Sequence, residues 1–170
     1  MSLTTKLTVS LSAALTSAQD LASASVPLSL RQIVELADGT GAGHADRVFH
    51  DRRVLAASAS ESLDLAGGLT DPLGASLTFA RIKLMLIRAA AANTNNVLVG
   101  GAASNGFATF TADPTDKLVV RPGTTLLLAT SDIDATGYAV AAATGDLLQV
   151  ANSAAGTPVT YDIVLIGASA

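Results

Sequence analysis

The sequence predicts an all-β protein: an antiparallel β-sandwich of jelly-roll-like form, preceded by an N-terminal extended arm or strand. Three observations lead there. Apolar and polar residues alternate with period two along most of the chain, the repeat of a pleated strand with one covered face. Short apolar runs are punctuated at nearly regular intervals by clusters of Gly, Pro, Asn and Asp. No strand-like run alternates with an amphipathic helical stretch, so a parallel βαβ sheet has no support.

Taken in order, Leu7, Val9 and Leu11 alternate with Lys6, Thr8 and Ser10 as in a half-covered strand. The Ser/Ala-rich stretch Ser12 to Ser25 could form a short helix, but Pro27 and the many serines favour a flexible connection or an arm. We therefore divide the chain into a strand-and-arm segment, 1–26, and a sandwich domain, 27–170. Leu28 to Leu36 fits a helical face through Leu30, Ile33 and Val34. It fits a strand equally through Leu28, Leu30 and the Ile33–Val34 pair. Asp38-Gly39 forces a turn. Val48–Leu55 and Ser60–Ala66 read as strands, and GGLTDPLG (Gly67–Gly74) as a loop. Leu77–Arg88 is the longest candidate strand, apolar on both faces and hence central. After the Asn93–Asn96 turn come VLVGG and strands around Phe107–Thr111, Lys117–Val120, Thr124–Ala129, Gly137–Ala143, Asp146–Val150 and Val159–Ile166.

Composition narrows the function. The 170 residues are 49% hydrophobic and 14% charged, enough for one ordered domain. Four Phe, two Tyr and no Trp suit thin, closely packed β-layers, not an aromatic-lined pocket or a stacking platform. Acids and bases balance at eight each through Arg88; beyond it Lys117 and Arg121 face six aspartates. No basic stripe is present, which argues against nucleic acid as a partner. With no cysteine, disulfides and thiolate metal sites are excluded. The first twenty residues lack the compact apolar region of a signal peptide. The most apolar run, Leu77–Ala92, carries Arg81, Lys83 and Arg88 and is too short for a bilayer. The expectation is a soluble protein with no membrane partner.

The stretch DGTGAGHADRVFHD (Asp38–Asp51) holds both histidines and is the densest in groups able to do chemistry. His44 and His50 are six apart, a spacing that neither helix nor strand brings together, and nothing matches HExxH or a calcium loop. GTGAG lacks the third glycine of a dinucleotide loop and no helix follows it. The chain has no G-x-S-x-G elbow. The better reading is a corner, with Gly39, Gly41 and Gly43 turning the backbone. Asp46 closes it, and Asp51 sits in an ion-pair cluster with Arg47, Arg52 and Arg53. Asp132 and Asp134 in SDIDATG read as turn carboxylates rather than calcium ligands. Glu61 and Asp64 point to opposite faces of a strand and do not form an acid/base pair. No catalytic, cofactor or metal residue is expected. The candidate contact residues are Leu7, Val9 and Leu11 on the first strand and Arg81 and Lys83 on one face of the long strand. The last two are expected to be solvated or snorkelling.

Segment order then supplies a likeness. GTGAGHADRVFHDRRVLAASASESLDLAGGLTDPLG, LTFARIKLMLIRAAAANTNNVLVGGAASN, RPGTTLLLAT, GYAVAAATGDLLQVANSAAG and the ending VTYDIVLIGASA run from Gly39 to the end of the sequence. In this order they resemble a family of small virion structural proteins of tailed bacteriophages and prophages. Tyr138 stands where the family often has Trp, and Arg88 where a lysine is common. The resemblance implies a β-sandwich used in many copies as part of a particle, and no active-site residues. The expectation is a non-enzymatic homo-oligomer, most simply a capsid decoration or cement protein. It would be made in the host cytoplasm and carried on the capsid surface, with the major capsid protein and its own copies as partners. A tail, neck or fibre-base part, or a jelly-roll module binding host glycan, are the alternatives; an enzyme ranks last.

Overall fold

The computed structural model describes residues 2–170. The described residues form thirteen strands and no helix, so no helix is long and apolar enough to cross a membrane. The strands are β1 (Thr5–Ala18), β2 (Ser23–Leu36), β3 (Arg47–Leu55), β4 (Ser60–Asp64), β5 (Leu69–Thr70), β6 (Ser76–Leu77) and β7 (Arg81–Ala89). They continue with β8 (Val97–Gly100), β9 (Lys117–Val120), β10 (Thr125–Ala129), β11 (Tyr138–Ala139), β12 (Leu147–Asn152) and β13 (Val159–Ala168). Every strand pair is antiparallel.

One sheet has the order β10-β7-β13-β3, with β11 joining β7 beside β10; the other has the order β4-β12-β8-β9. Alternation along each strand sends one set of side chains into a shared core. Met85, Ile87, Ile163 and Leu165 of the first sheet belong to one buried cluster with Leu63, Val99, Leu148 and Val150 of the second. The result is an all-β, sandwich-like body. Its two central strands are apolar on the outer face as well: Leu84 and Ile166 are buried in a second cluster with Val34, Leu36 and Ala45.

That second cluster roots the most distinctive element. β1 and β2 pair over their full length, from Thr5↔Leu36 to Ala18↔Ser23, into a two-stranded ribbon closed by Gln19–Ala22. At the rise of a strand it is about 45 Å long. The Ser/Ala stretch is thus not a helix or a loose connection, and the projecting element extends past residue 26 to Leu36. Pro27 does not break it, because a two-stranded ribbon consists only of edge strands, where proline is tolerated.

Three expected strands differ. Phe107–Thr111 is a turn: the amides of Thr111 and Ala112 donate to Ala108, and Phe107 and Phe110 stack with centroids 5.5 Å apart. Its two phenylalanines lie three positions apart, a spacing that suits a turn and not a strand. Gly137–Ala143 contributes only Tyr138–Ala139, because Ala143 has a positive φ of 62° and donates to Asp146. The long strand begins at Arg81, because Leu77 pairs with Leu69 in a separate ribbon and Phe79 and Ala80 bond Leu65 and Ala168.

The β7–β13 register shifts between Ile166 and Gly167, and a Cβ on Gly167 would lie 2.1 Å from the Arg81 carbonyl oxygen. Only glycine permits that approach. Gly167→Ala should therefore destabilise the protein by about 1–3 kcal/mol, the usual cost of overpacking, measured by urea denaturation. An unchanged midpoint would mean that the shift is not constrained by this contact.

Candidate functional site: an apolar-faced hairpin and its root

Residues directly opposite in an antiparallel ribbon point to the same side, so the register sorts the hairpin into two faces. One carries Leu7/Val34, Val9/Gln32, Leu11/Leu30, Ala13/Leu28, Leu15/Val26 and Ser17/Ala24. The other carries Lys6/Glu35, Thr8/Ile33, Ser10/Arg31, Ser12/Ser29, Ala14/Pro27 and Thr16/Ser25. The first is apolar except for Gln32 and Ser17; the second is mostly polar and includes the Lys6–Glu35 ion pair at 2.6 Å. At the root, the apolar face meets the first sheet: Val34 and Leu36 are buried, and Leu3 and Leu7 pack beside them. Beyond the root the same stripe is uncovered. Leu11 is 52% exposed, Leu15 77%, Val26 67% and Leu28 54%.

The corner after β2 locks this root. Gly43, with φ of 66°, lets the chain double back so that Ala37 donates to Gly43 and Ala45 to Ala37. Asp38 accepts the Leu3 amide at 3.0 Å. Asp46 accepts the Ser169 amide and hydroxyl at 2.8 and 2.6 Å and pairs with Arg47 at 3.2 Å. The two carboxylates thus fasten both ends of the chain at one place. The histidines go elsewhere: the His44 ring bonds the Ala42 carbonyl, and exposed His50 sits opposite Val164 on the outer face of β3. Among the described residues no three His, Asp or Glu side chains converge as metal ligands. A recess of about 590 Å³ lies beside the corner, bordered by Leu3, Asp38, Asp46, Arg47 and Leu73 among others, with no aromatic in its wall.

The arginine cluster is arranged differently from the expectation. Asp51 pairs with Arg53 at 3.3 Å and accepts the Arg52 amide at 2.8 Å, while Arg47 goes to Asp46. Arg52 crosses to Asp162 of β13 at 2.6 Å, and Arg88 of β7 reaches the same carboxylate at 2.5 Å. Strand register puts these three side by side on the outer face, a non-local alignment that no run of sequence displays. Hydrogen bonds from Arg52 and then Arg88 hold the Asp162 carboxyl down to about 2. On the inner face, Arg53 pairs with Glu61 at 2.7 Å, and buried Tyr161 donates to the other Glu61 oxygen at 2.7 Å. This couples β3 and β13 to β4 across the two sheets. Burial, followed by the bond to Glu61, pushes the Tyr161 phenol up. Asp64 is separate, accepting the Ala66 amide.

Of the five candidate contact residues, Val9 and Leu11 are exposed on the apolar stripe and Leu7 is half-buried at its root. Arg81 bonds the Ala135 carbonyl. Lys83 is not solvated: it is 1% exposed, and its ammonium donates to the Asp134 carbonyl beneath the Ser131–Gly137 turn. Burial lowers its pKa, and a partner cannot reach it. The Asp134 carboxylate caps that turn by accepting the amides of Thr136 and Gly137, which lowers its pKa. What sequence reading did not anticipate is the second half of the stripe, Val26, Leu28 and Leu30, whose alternation with Ser and Pro was the available signal.

No protein-family model matches the chain, and no curated protein or solved structure matches it.

The Asp162 clamp has a definite pH signature. In the unfolded chain this carboxyl titrates near the ordinary aspartate value of ~3.9. Its folded value is lower, so its stabilisation is complete above about pH 4 and is lost as pH falls through the folded value of about 2. Asp162→Asn should lower stability at neutral pH modestly, since both arginines are solvent-screened, and flatten the acid-side decline in a pH series of urea melts. An equally steep decline in the variant would place the acid sensitivity in other carboxylates.

Proposed function

We propose that this chain is a non-enzymatic structural protein of a tailed-phage virion, a decoration or cement subunit that binds the assembled capsid surface. The observation that carries the reading is the long hairpin projecting from a sandwich, most of whose carboxylates are engaged in turns, clasps and ion pairs. Such a body offers a rigid base and a reaching element, and it stabilises a lattice through contact area rather than through chemistry. The order of segments from Gly39 onward, similar to that of small virion proteins, supports the same reading. Contacts between an extended element and neighbouring subunits can be weak singly and strong in number.

The hairpin is then the part that engages the particle. Replacing Val9–Gln32 by an Asn-Gly turn joins Thr8 to Ile33 in register and retains the root pairs Lys6/Glu35 and Leu7/Val34. The shortened chain should keep a cooperative melt but fail to bind heads that lack the protein, scored by co-sedimentation and electron microscopy. Full-length protein should bind those heads. Undiminished head binding by the shortened chain, or antibody labelling of tails only, would overturn the head-binding role of the hairpin.

A further inference from the structure

We infer that the uncovered apolar face of the hairpin packs against the same face of a second copy of this chain. The hairpin beyond its root is a two-stranded ribbon, a form only marginally stable in water unless a third strand or an apolar layer covers it. Here the layer is missing over most of the length. Val9, Leu11, Leu15, Val26, Leu28 and Leu30 are each more than a third exposed. From those fractions the stripe presents roughly 600 Å² of apolar surface, at the upper limit for a lone monomer and close to one partner's ~800 Å² share of a standard interface.

The occupant is named by charge and by shape. No ionisable side chain lies on the stripe: Lys6, Arg31 and Glu35 occupy the opposite face, and Asp20 the end turn. A partner presenting charge there would bury it unpaired. The surface to match must therefore be long, uncharged and similar in area. Among the described residues of the sandwich, the exposed large apolar side chains are Val54, Leu73, Val119 and Ile133, one on each of four separate elements. The outer sheet face next to the root carries Arg52, Arg88 and Asp162. The stripe of another copy is the surface that fits. Face-to-face packing is self-complementary, as a closed symmetric contact requires. It also continues the apolar layer that Val34 and Leu36 begin at the root. Ala13 and Ala24 leave room for close approach, and sheet faces packed this way lie about 10 Å apart.

The test uses the purified full chain, whatever particle it belongs to. Native mass by light scattering should exceed that of the 17.0 kDa chain, and the pair Leu11→Lys with Leu28→Lys should reduce it to the monomer. The pair Ser10→Lys with Ser29→Lys, on the polar face, should leave the oligomer intact. The absence of native cysteine gives a second measurement that needs no disruption of the face. Ala13→Cys should be joined efficiently between copies by a short bismaleimide, and Ser12→Cys, its neighbour on the other face, should not. Monomeric wild type, or equal cross-linking from both faces, would overturn the inference. So would protection of Ala13→Cys from a monofunctional maleimide only when heads are added, which would assign the stripe to a capsid partner. Oligomerisation without head binding would leave the pairing standing and reject the virion role.

Discussion

β13 has to bury both of its faces, and the rest of the molecule is arranged around that requirement. Tyr161, Ile163 and Leu165 point inward and, with β7 alongside, form the centre of the sandwich core. Val164 and Ile166 point outward, where water would meet a second apolar row. A sandwich of two sheets covers only the inner row. The outer row is covered by the root of the hairpin, so the apolar character of one strand gives the projecting element its seat.

Polar groups then hold the seat in register. Asp38 and Asp46 tie the first residues and the last to the same corner, and the Arg52–Asp162–Arg88 clamp spans three strands of the outer face. Arg53, Glu61 and Tyr161 tie the sheets together from inside. Each of these carboxylates has its partners within the chain. Of the groups that drew attention in the sequence, Asp38 and Asp46 fasten the corner, while the hairpin leaves a long apolar stripe uncovered.

The absence of helix, the turn-rich punctuation and most strand positions were legible because period-two alternation and turn residues act within a few positions of one another. Val48–Leu55, Lys117–Val120 and Val159–Ile166 are each found close to where alternation places them. The corner at Asp38–Asp46 was legible for the same local reason. Leu28–Leu36 was not resolved, because its apolar residues satisfy two periods at once; pairing with β1 decides between them. Phe107–Thr111 has strand-like composition, yet the contact between its two phenylalanines closes a turn.

By itself the sequence determined the class of backbone and, for most strands, the division into a covered and an uncovered side. Only the tertiary structure decided which sides meet. Arg52 finds Asp162 at a separation of 110 residues, Lys83 disappears beneath a turn supplied by Asp134, and Leu11 and Leu30 come to share a face. Alternation states that a side chain prefers to leave water. The partner that removes it from water is set by long-range strand register, which no short window of residues contains.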